Sequence, residues 1–340
     1  MTTRKRLLYI GNKLSAKGNT VTSIETLGIF LHKEGFIIHT VSSKKNKVLR
    51  LLDMLLAILR KKNIVDFVLI DTYSTQNFYF AVFSAILCDL LKLQFIPILR
   101  GGDLPNRLRT NTRLSKNIFG KSFTNLSPSK FILNEFQKAG YYNLTYIPNT
   151  IEITNYSFLP RNKVQPKLLW VRSFAEIYNP LLALEVVEIL KKTGTKVSLC
   201  MVGPEKDGSL ERCKKVAADL DLPIRFTGLL NKSEWINLAA EFDIFINTTN
   251  FDNMPVSVME AMALGLPVIS TNVGGIPFLI ENEVNGILVP PNNAEAIVNA
   301  IENLCGDILK AKNIAINARD KIENFDWSQV KREWIKLLDS

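Results

Sequence analysis

The chain has 340 residues, 47% of them apolar, and a formal net charge of +10. That length suits two domains, each with its own core. The four cysteines (Cys88, Cys200, Cys213, Cys305) show no paired spacing and no histidine partner. This excludes a zinc site of ordinary spacing and a disulfide framework, and it fits a reducing compartment.

The charge is unevenly placed. Residues 1–150 hold 22 Lys and Arg against 8 Asp and Glu, a net of +14. The remainder holds 20 against 24, a net of −4. Such a front half suits an anionic partner: lipid headgroups, a polyprenyl diphosphate, an acidic glycan or nucleic acid. Plain solubility accounts for it as well. Leu7 to Ile10 is too short for the apolar core of a secretory signal, and Phe78 to Cys88 is too short to span a bilayer. The chain reads as soluble and cytoplasmic, and its basic half leaves open a peripheral place at the inner membrane face.

Leu7 to Ile10 reads as the first strand, and a loop carrying Gly11 and Gly18 follows it. Thr22 to Lys33 has helical spacing and is closed by Gly35; Phe36 to Val41 is the next strand. This is a βαβ start, which implies a parallel sheet. No G-x-G-x-x-G follows the first strand, so a dehydrogenase-type dinucleotide site is unsupported. Lys44 to Lys62 combines basic ends with Leu51 to Leu59. Such a helix lies on a membrane surface in some proteins, but a helix covering a sheet shows the same pattern. Phe67 to Asp71 reads as a strand, Phe78 to Leu91 as a buried helix and Gln94 to Leu99 as a strand. Then Arg100-Gly-Gly-Asp-Leu-Pro105 opens a loop rich in arginine and lysine. Asp103 suits a hydroxyl, and the cations suit a phosphate.

Pro160 to Pro166 is polar and reads as a linker. Lys167 to Val171 is the strand that opens the second half, and Arg172 follows it. Asn179-Pro180 suits the start of a helix over Leu181 to Lys192. The strand Lys196 to Val202 ends at Gly203, and the strand from Ile224 ends at Gly228-Leu229. Asn231 to Glu234 is a capping-box variant.

The most informative stretch is Asp243 to Gly275. A strand (Ile244 to Ile246) leads into a polar loop, and then a helix begins near Pro255. The free N–H groups and dipole of a helix start suit phosphate. Asp252 and Glu260 would repel phosphate but can accept hydrogen bonds from sugar and ribose hydroxyls. A diphosphate between two hydroxylated rings is a nucleotide sugar. Gly265 stops the helix, Leu266 to Ser270 reads as a strand, and Gly274-Gly275 closes the next loop. A helix over Ala294 to Leu304 and a last amphipathic helix over Trp327 to Leu338 complete the chain.

The order Asp252, seven residues, Glu260-Ala-Met-Ala, then Gly265-x-Pro-Val-Ile and Gly-Gly resembles the donor signature of retaining glycosyltransferases of group 1, family 4. Ile147-Pro-Asn resembles that family's link between domains, and Arg172 stands where its diphosphate-binding arginine stands. Asn253-Met254-Pro255 stands for the family's usual Gly-Phe-Gly and Thr150 for its usual Gly, and two further departures bear on the chemistry. The first acid is Asp252 rather than Glu, and no lysine follows Arg172 near Tyr178. The resemblance implies an α/β chain of the GT-B type, with two Rossmann-like domains facing each other across a cleft. Residues 1–160 would form the acceptor-side domain, braced by the helix 327–340, and 161–326 the donor domain. It implies Arg172 on the diphosphate, Asp252 on the hexose and Glu260 on the ribose. Gly11, Gly18, Gly203, Gly228, Leu229, Asn253, Met254, Pro255 and Val256 would line the donor, and Arg100 and Asp103 the acceptor. It further implies a UDP- or GDP-sugar donor, no cofactor, no metal, and a glycan or polyprenyl-linked acceptor in cell-surface polysaccharide or glycolipid synthesis.

Two other classes remain open at this point. A catalytically silent nucleotide-sugar binder is motivated by the two departures. A nucleic-acid binder is motivated by the basic half, but no aromatic-basic or helix-turn-helix pattern supports it. A Ser-His-Asp hydrolase is unsupported, since the only histidines, His32 and His39, fall in a helix end and a strand.

Overall fold

The computed structural model describes residues 4–15 and 21–340, which divide into two compact units. The first comprises the chain up to Asn149 together with Trp327–Ser340, and the second Thr150–Asp326. Among the described residues no helix is long and apolar enough to cross a membrane.

The first unit runs β1 (Arg6–Ile10), α1 (Ser23–Lys33), β2 (Ile37–Val41), α2 (Lys47–Lys61), β3 (Phe67–Thr72), α3 (Phe78–Leu90) and β4 (Phe95–Leu99). It continues with α4 (Leu104–Thr110), α5 (Thr112–Phe119), β5 (Asn125–Ser127), α6 (Lys130–Lys138) and β6 (Leu144–Tyr146). Its sheet has the order β2-β1-β3-β4-β5-β6, all parallel. β3 and β4 are buried along their whole length, as expected of strands covered on both faces. Ser129 caps α6, its hydroxyl accepting from the Ile132 N–H at 3.2 Å. The terminal helix Trp327–Leu338 has the bounds read from the sequence. Trp327 stacks on Phe30 at 4.9 Å and donates to Glu34 Oε1 at 3.1 Å, so this helix closes the core over α1.

The second unit contains β7 (Lys167–Val171), α7 (Pro180–Lys192), β8 (Ser198–Val202), α8 (Ser209–Asp219), β9 (Ile224–Gly228), α9 (Lys232–Ala239) and β10 (Ile244–Asn247). There follow α10 (Val256–Ala263), β11 (Val268–Thr271), α11 (Ile276–Leu279), β12 (Ile287–Val289), α12 (Ala294–Gly306) and α13 (Ile308–Glu323). The parallel order is β12-β11-β10-β7-β8-β9. This is the doubly wound dinucleotide-fold order.

Three sequence expectations are corrected. The stretch 160–166 is not a free linker. Arg161 is buried, and its guanidinium donates to the nearby Leu159 carbonyl and to those of Leu264, Ala239 and Phe242, at the ends of α10 and α9. Ile151 and Tyr156 also lie in the second unit's core, so that unit begins before residue 161. Asn179 does not cap α7. It takes a left-handed conformation (φ +45°), and its side chain donates to Asn292 Oδ1 at 2.8 Å. Helix α13 had no counterpart in the sequence reading. Its buried face is Ala311, Ile314, Ala315, Ala318 and Ile322, helical in spacing but with three alanines among the five, which carry little apolar signal.

Candidate functional site

In the second sheet the chain runs outward from β7 through β8 to β9, then returns to the other side of β7 as β10. Ligands of open α/β sheets bind beyond the carboxyl ends of the strands where such a reversal occurs. Here that place is built by the segment after β7, starting at Arg172, and the segment after β10, leading to Asp252 and α10.

Short side chains hold the second segment. Thr248 Oγ1 donates to the Tyr178 carbonyl at 3.0 Å and accepts from Trp170 Nε1 at 3.0 Å. Thr271 Oγ1 donates to the Thr249 carbonyl at 2.6 Å, and the Asn250 N–H to the Ile177 carbonyl at 2.8 Å. The Gly274-Gly275 pair then packs backbone against backbone. A Cβ on Gly275 would stand 1.8 Å from the Asn253 carbonyl oxygen, and one on Gly274 2.2 Å from that of Asp252. The Gly275 N–H donates to the Asp252 carbonyl at 2.9 Å. No side chain fits between these loops.

Arg172 and Asp252 are brought together directly, as an ion pair with both side chains about 15% exposed. The Arg172 guanidinium also lies 4.6 Å above the Tyr178 ring. Burial pushes its pKa down, and Tyr178 opposes that. Its Nε is buried with no acceptor among the described residues. The resemblance assigned these two residues to different parts of a donor; here they are each other's partners. Gly203 supports the arginine from behind. At φ +151°, a Cβ there would lie 1.7 Å from the Arg172 carbonyl oxygen.

Pro255 sits just before α10 rather than in its first turn, and Val256 is the first helical residue. The leading N–H groups of a helix have no partner within it. Beside them the Ser257 hydroxyl is buried without a hydrogen-bond partner among the described residues. The Asn253 and Met254 side chains are buried, so what they offer a ligand is backbone. Val256 is exposed, Gly228 ends β9, and Leu229 just after it is exposed.

Glu260, in the second turn of α10, is only 5% exposed. Its Oε1 accepts from the Tyr156 hydroxyl at 2.6 Å and pairs with Lys232 Nζ at 2.8 Å. Lys232 also stands over the Tyr156 ring at 5.7 Å. Burial, then the neighbouring carboxylate, pushes the Tyr156 phenol far up, so it remains a donor. Arg319 of α13 ties the pair down, donating to the carbonyls of Tyr156 and Ala263, both at 2.7 Å. Lys232 and Tyr156 were not singled out in the sequence. The capping box at Asn231 is confirmed, the Asn231 side chain accepting from the Glu234 N–H at 3.0 Å, and it aims the first turn of α9. Nothing local tells that Lys232 reaches Glu260. Among the described residues no group of three His, Cys, Asp or Glu could hold a metal ion.

The residues expected on the acceptor side lie in the first unit. Gly18 falls outside the described residues. Gly11 follows β1 against Asp71, whose Oδ2 would be 2.8 Å from a Cβ there. Asp103 is exposed and accepts from Asn106 at 3.4 Å. Arg100 departs from its expected role. Its guanidinium points inward, to Asp71 Oδ1 at 3.2 Å, the Tyr9 hydroxyl at 3.3 Å and Asn149 Oδ1 at 2.7 Å. Burial pushes the Asp71 pKa up, and the guanidinium opposes that. Arg100→Met is therefore expected to lower stability by about 3–5 kcal/mol, because it leaves a buried carboxylate without its cation. Urea unfolding checks this. Adding Asp71→Asn should recover much of the loss, and a loss below ~1 kcal/mol would mean that Asp71 is uncharged in the wild type.

Residues 154–321 match the family described as glycosyl transferases group 1. The chain is 28% identical over 201 residues to the amylovoran biosynthesis glycosyltransferase AmsK of Erwinia amylovora, covering 53% of this chain and 49% of AmsK. It is 32% identical over 107 residues to the UDP-Gal:alpha-D-GlcNAc-diphosphoundecaprenol alpha-1,3-galactosyltransferase of Escherichia coli, covering 31% of this chain and 27% of that enzyme. The chain thus spans half or less of these curated relatives. Anabaena HepE, solved with UDP-glucose, superposes with a TM-score of 0.80 at 17% identity over 99% of this chain and 100% of HepE. Sucrose-phosphate synthase of Thermosynechococcus elongatus does so with a TM-score of 0.81 at 16% identity, over 99% and 98%. At those identities the structures speak for the fold, which is GT-B, with two six-stranded parallel sheets and their surrounding helices. The family match begins ahead of β7 and ends within α13, so it is the second unit that is similar to the group 1 glycosyl transferases.

Proposed function

We propose that the protein is a retaining glycosyltransferase that moves a sugar from a nucleoside-diphosphate sugar to a glycan or lipid-linked acceptor, in cell-surface polysaccharide or glycolipid synthesis at the inner membrane face. The observation that carries this is two acid–cation contacts at the sheet's reversal beside the start of α10: Arg172–Asp252, largely buried, and buried Glu260 with half-exposed Lys232. The relatives support a nucleotide-sugar donor, since HepE was solved with UDP and UDP-glucose and the E. coli relative is a UDP-Gal galactosyltransferase.

In this reading the unmatched Arg172 Nε, the Ser257 hydroxyl and the first N–H groups of α10 receive the diphosphate. Lys232 supplies a second cation, since no lysine follows Arg172 near Tyr178. Glu260 takes ribose hydroxyls and Asp252 the hexose. The bond from the anomeric carbon to the diphosphate oxygen breaks, and the acceptor hydroxyl bonds to the same face of that carbon. Its proton leaves with the diphosphate. Arg172, Lys232 and the helix dipole stabilise the charge on the departing diphosphate, so no metal is called for.

The experiment is a melting screen against UDP, GDP, ADP and their sugars, followed by anomeric analysis of any product. A ligand at a hundred times its Kd stabilises by about 2.7 kcal/mol, which a melting curve resolves. No shift with any nucleotide overturns the reading, and an inverted product overturns the retaining part. The second reading, a silent binder, is favoured by Asp252 already engaging Arg172; binding of an intact nucleotide sugar without hydrolysis or transfer would select it.

A further inference from the structure

Helix α2 faces two ways. Arg50, Met54 and Ile58 are buried, and Met54 and Ile58 pack into the core of the first unit. Val48, Leu49, Leu52, Leu56 and Leu59 are 44–67% exposed. At about 100° per residue these five fall within an arc of roughly 100°, a single continuous stripe rather than scattered apolar side chains. Cations bracket it: Lys44, Lys45 and Lys47 at the start, Arg60, Lys61 and Lys62 at the end. Asp53 is the one acid from Lys44 to Ile64, and it is engaged by the Ser42 hydroxyl at 2.5 Å. The leading lysines are held in place, because Arg50 Nε and Nη2 donate to the carbonyls of Lys44 and Lys45 at 2.7 and 2.9 Å. On the neighbouring α3, Tyr79 and Phe83 are also exposed.

We propose that this face of α2 seats on the surface of an anionic lipid bilayer, the leucines in the headgroup–acyl boundary and the two lysine clusters on the lipid charges. Charge selects this occupant. A second copy would bring the same two cation clusters against their like, whereas an anionic lipid surface complements both the stripe and its ends. The inference is argued from α2 alone; it deepens the membrane-face part of the proposed function, and its failure would leave the transferase chemistry standing.

Flotation of the full chain with vesicles of phosphatidylcholine, with and without phosphatidylglycerol, tests it. Wild type is expected to bind the anionic vesicles, more weakly as salt is raised, and to ignore the neutral ones. Leu49→Ser/Leu52→Ser/Leu56→Ser and, separately, Lys44→Gln/Lys45→Gln/Lys47→Gln should each weaken partitioning by about ten-fold or more. Both should melt as wild type does, since the altered side chains are exposed. Absence of binding, equal binding to neutral vesicles, or full binding by the leucine variant overturns the proposal. So does a wild-type dimer that the leucine variant dissolves, because the stripe would then join two copies.

Discussion

Arg172→Ala is expected to weaken nucleoside-diphosphate binding by about 30-fold or more (~2 kcal/mol), measured by calorimetry with UDP and GDP. The guanidinium is buried, aligned by the Tyr178 ring and backed by Gly203, so little ordering remains to be done when an anion arrives. Its removal also leaves the Asp252 carboxylate buried without its cation, a second unfavourable term for an incoming anion. Arg172→Lys keeps the charge but loses the planar fork, and should fall between wild type and alanine. Asp252→Asn carries the opposite sign. With the competing carboxylate neutralised, diphosphate affinity should hold or rise even as sugar transfer falls. Unchanged affinity in Arg172→Ala would remove the arginine from the site.

Glu260→Gln should lower transfer by about 100-fold (~3 kcal/mol), chiefly through a raised KM for the donor. The substitution keeps shape, and the Tyr156 hydroxyl can still donate to the amide oxygen. Lys232 loses its counter-charge but is half exposed and can turn to water. Melting should therefore change little, and a large drop in stability would mark Glu260 as a structural anchor instead. If a ribose hydroxyl is what Glu260 holds, the loss appears equally in ground and transition states, hence KM rather than kcat. Near-normal turnover in a well-folded variant would sink the assignment.

How much of this could be read from the chain follows from range. The alternation of strands and helices, the bounds of the terminal helix and the Asp252–Glu260 helix all rest on local patterns, which a sequence displays. Arg172 was located by its place after β7. Partners far apart in the chain were not legible. Tyr156 meets Glu260 across 104 positions, and Arg319 meets Tyr156 across 163. Neither contact leaves a period or a motif. Arg161 sat in a stretch too polar to suggest burial, yet four carbonyl acceptors make burial affordable. Arg100 misled for the converse reason: a cation in a basic loop gives no sign that it turns inward until Asp71 and Tyr9 are seen beneath it.

The contact of Gly274 and Gly275 with residues 252 and 253 has a mechanical consequence. Main chain rests on main chain there, with a hydrogen bond across the seam, so the two loops form a yoke. Displacement of one must drag the other, and the start of α10 with it. Altered neighbouring side chains can change the surface around this seam, while the spacing of the two loops stays set by main-chain contact.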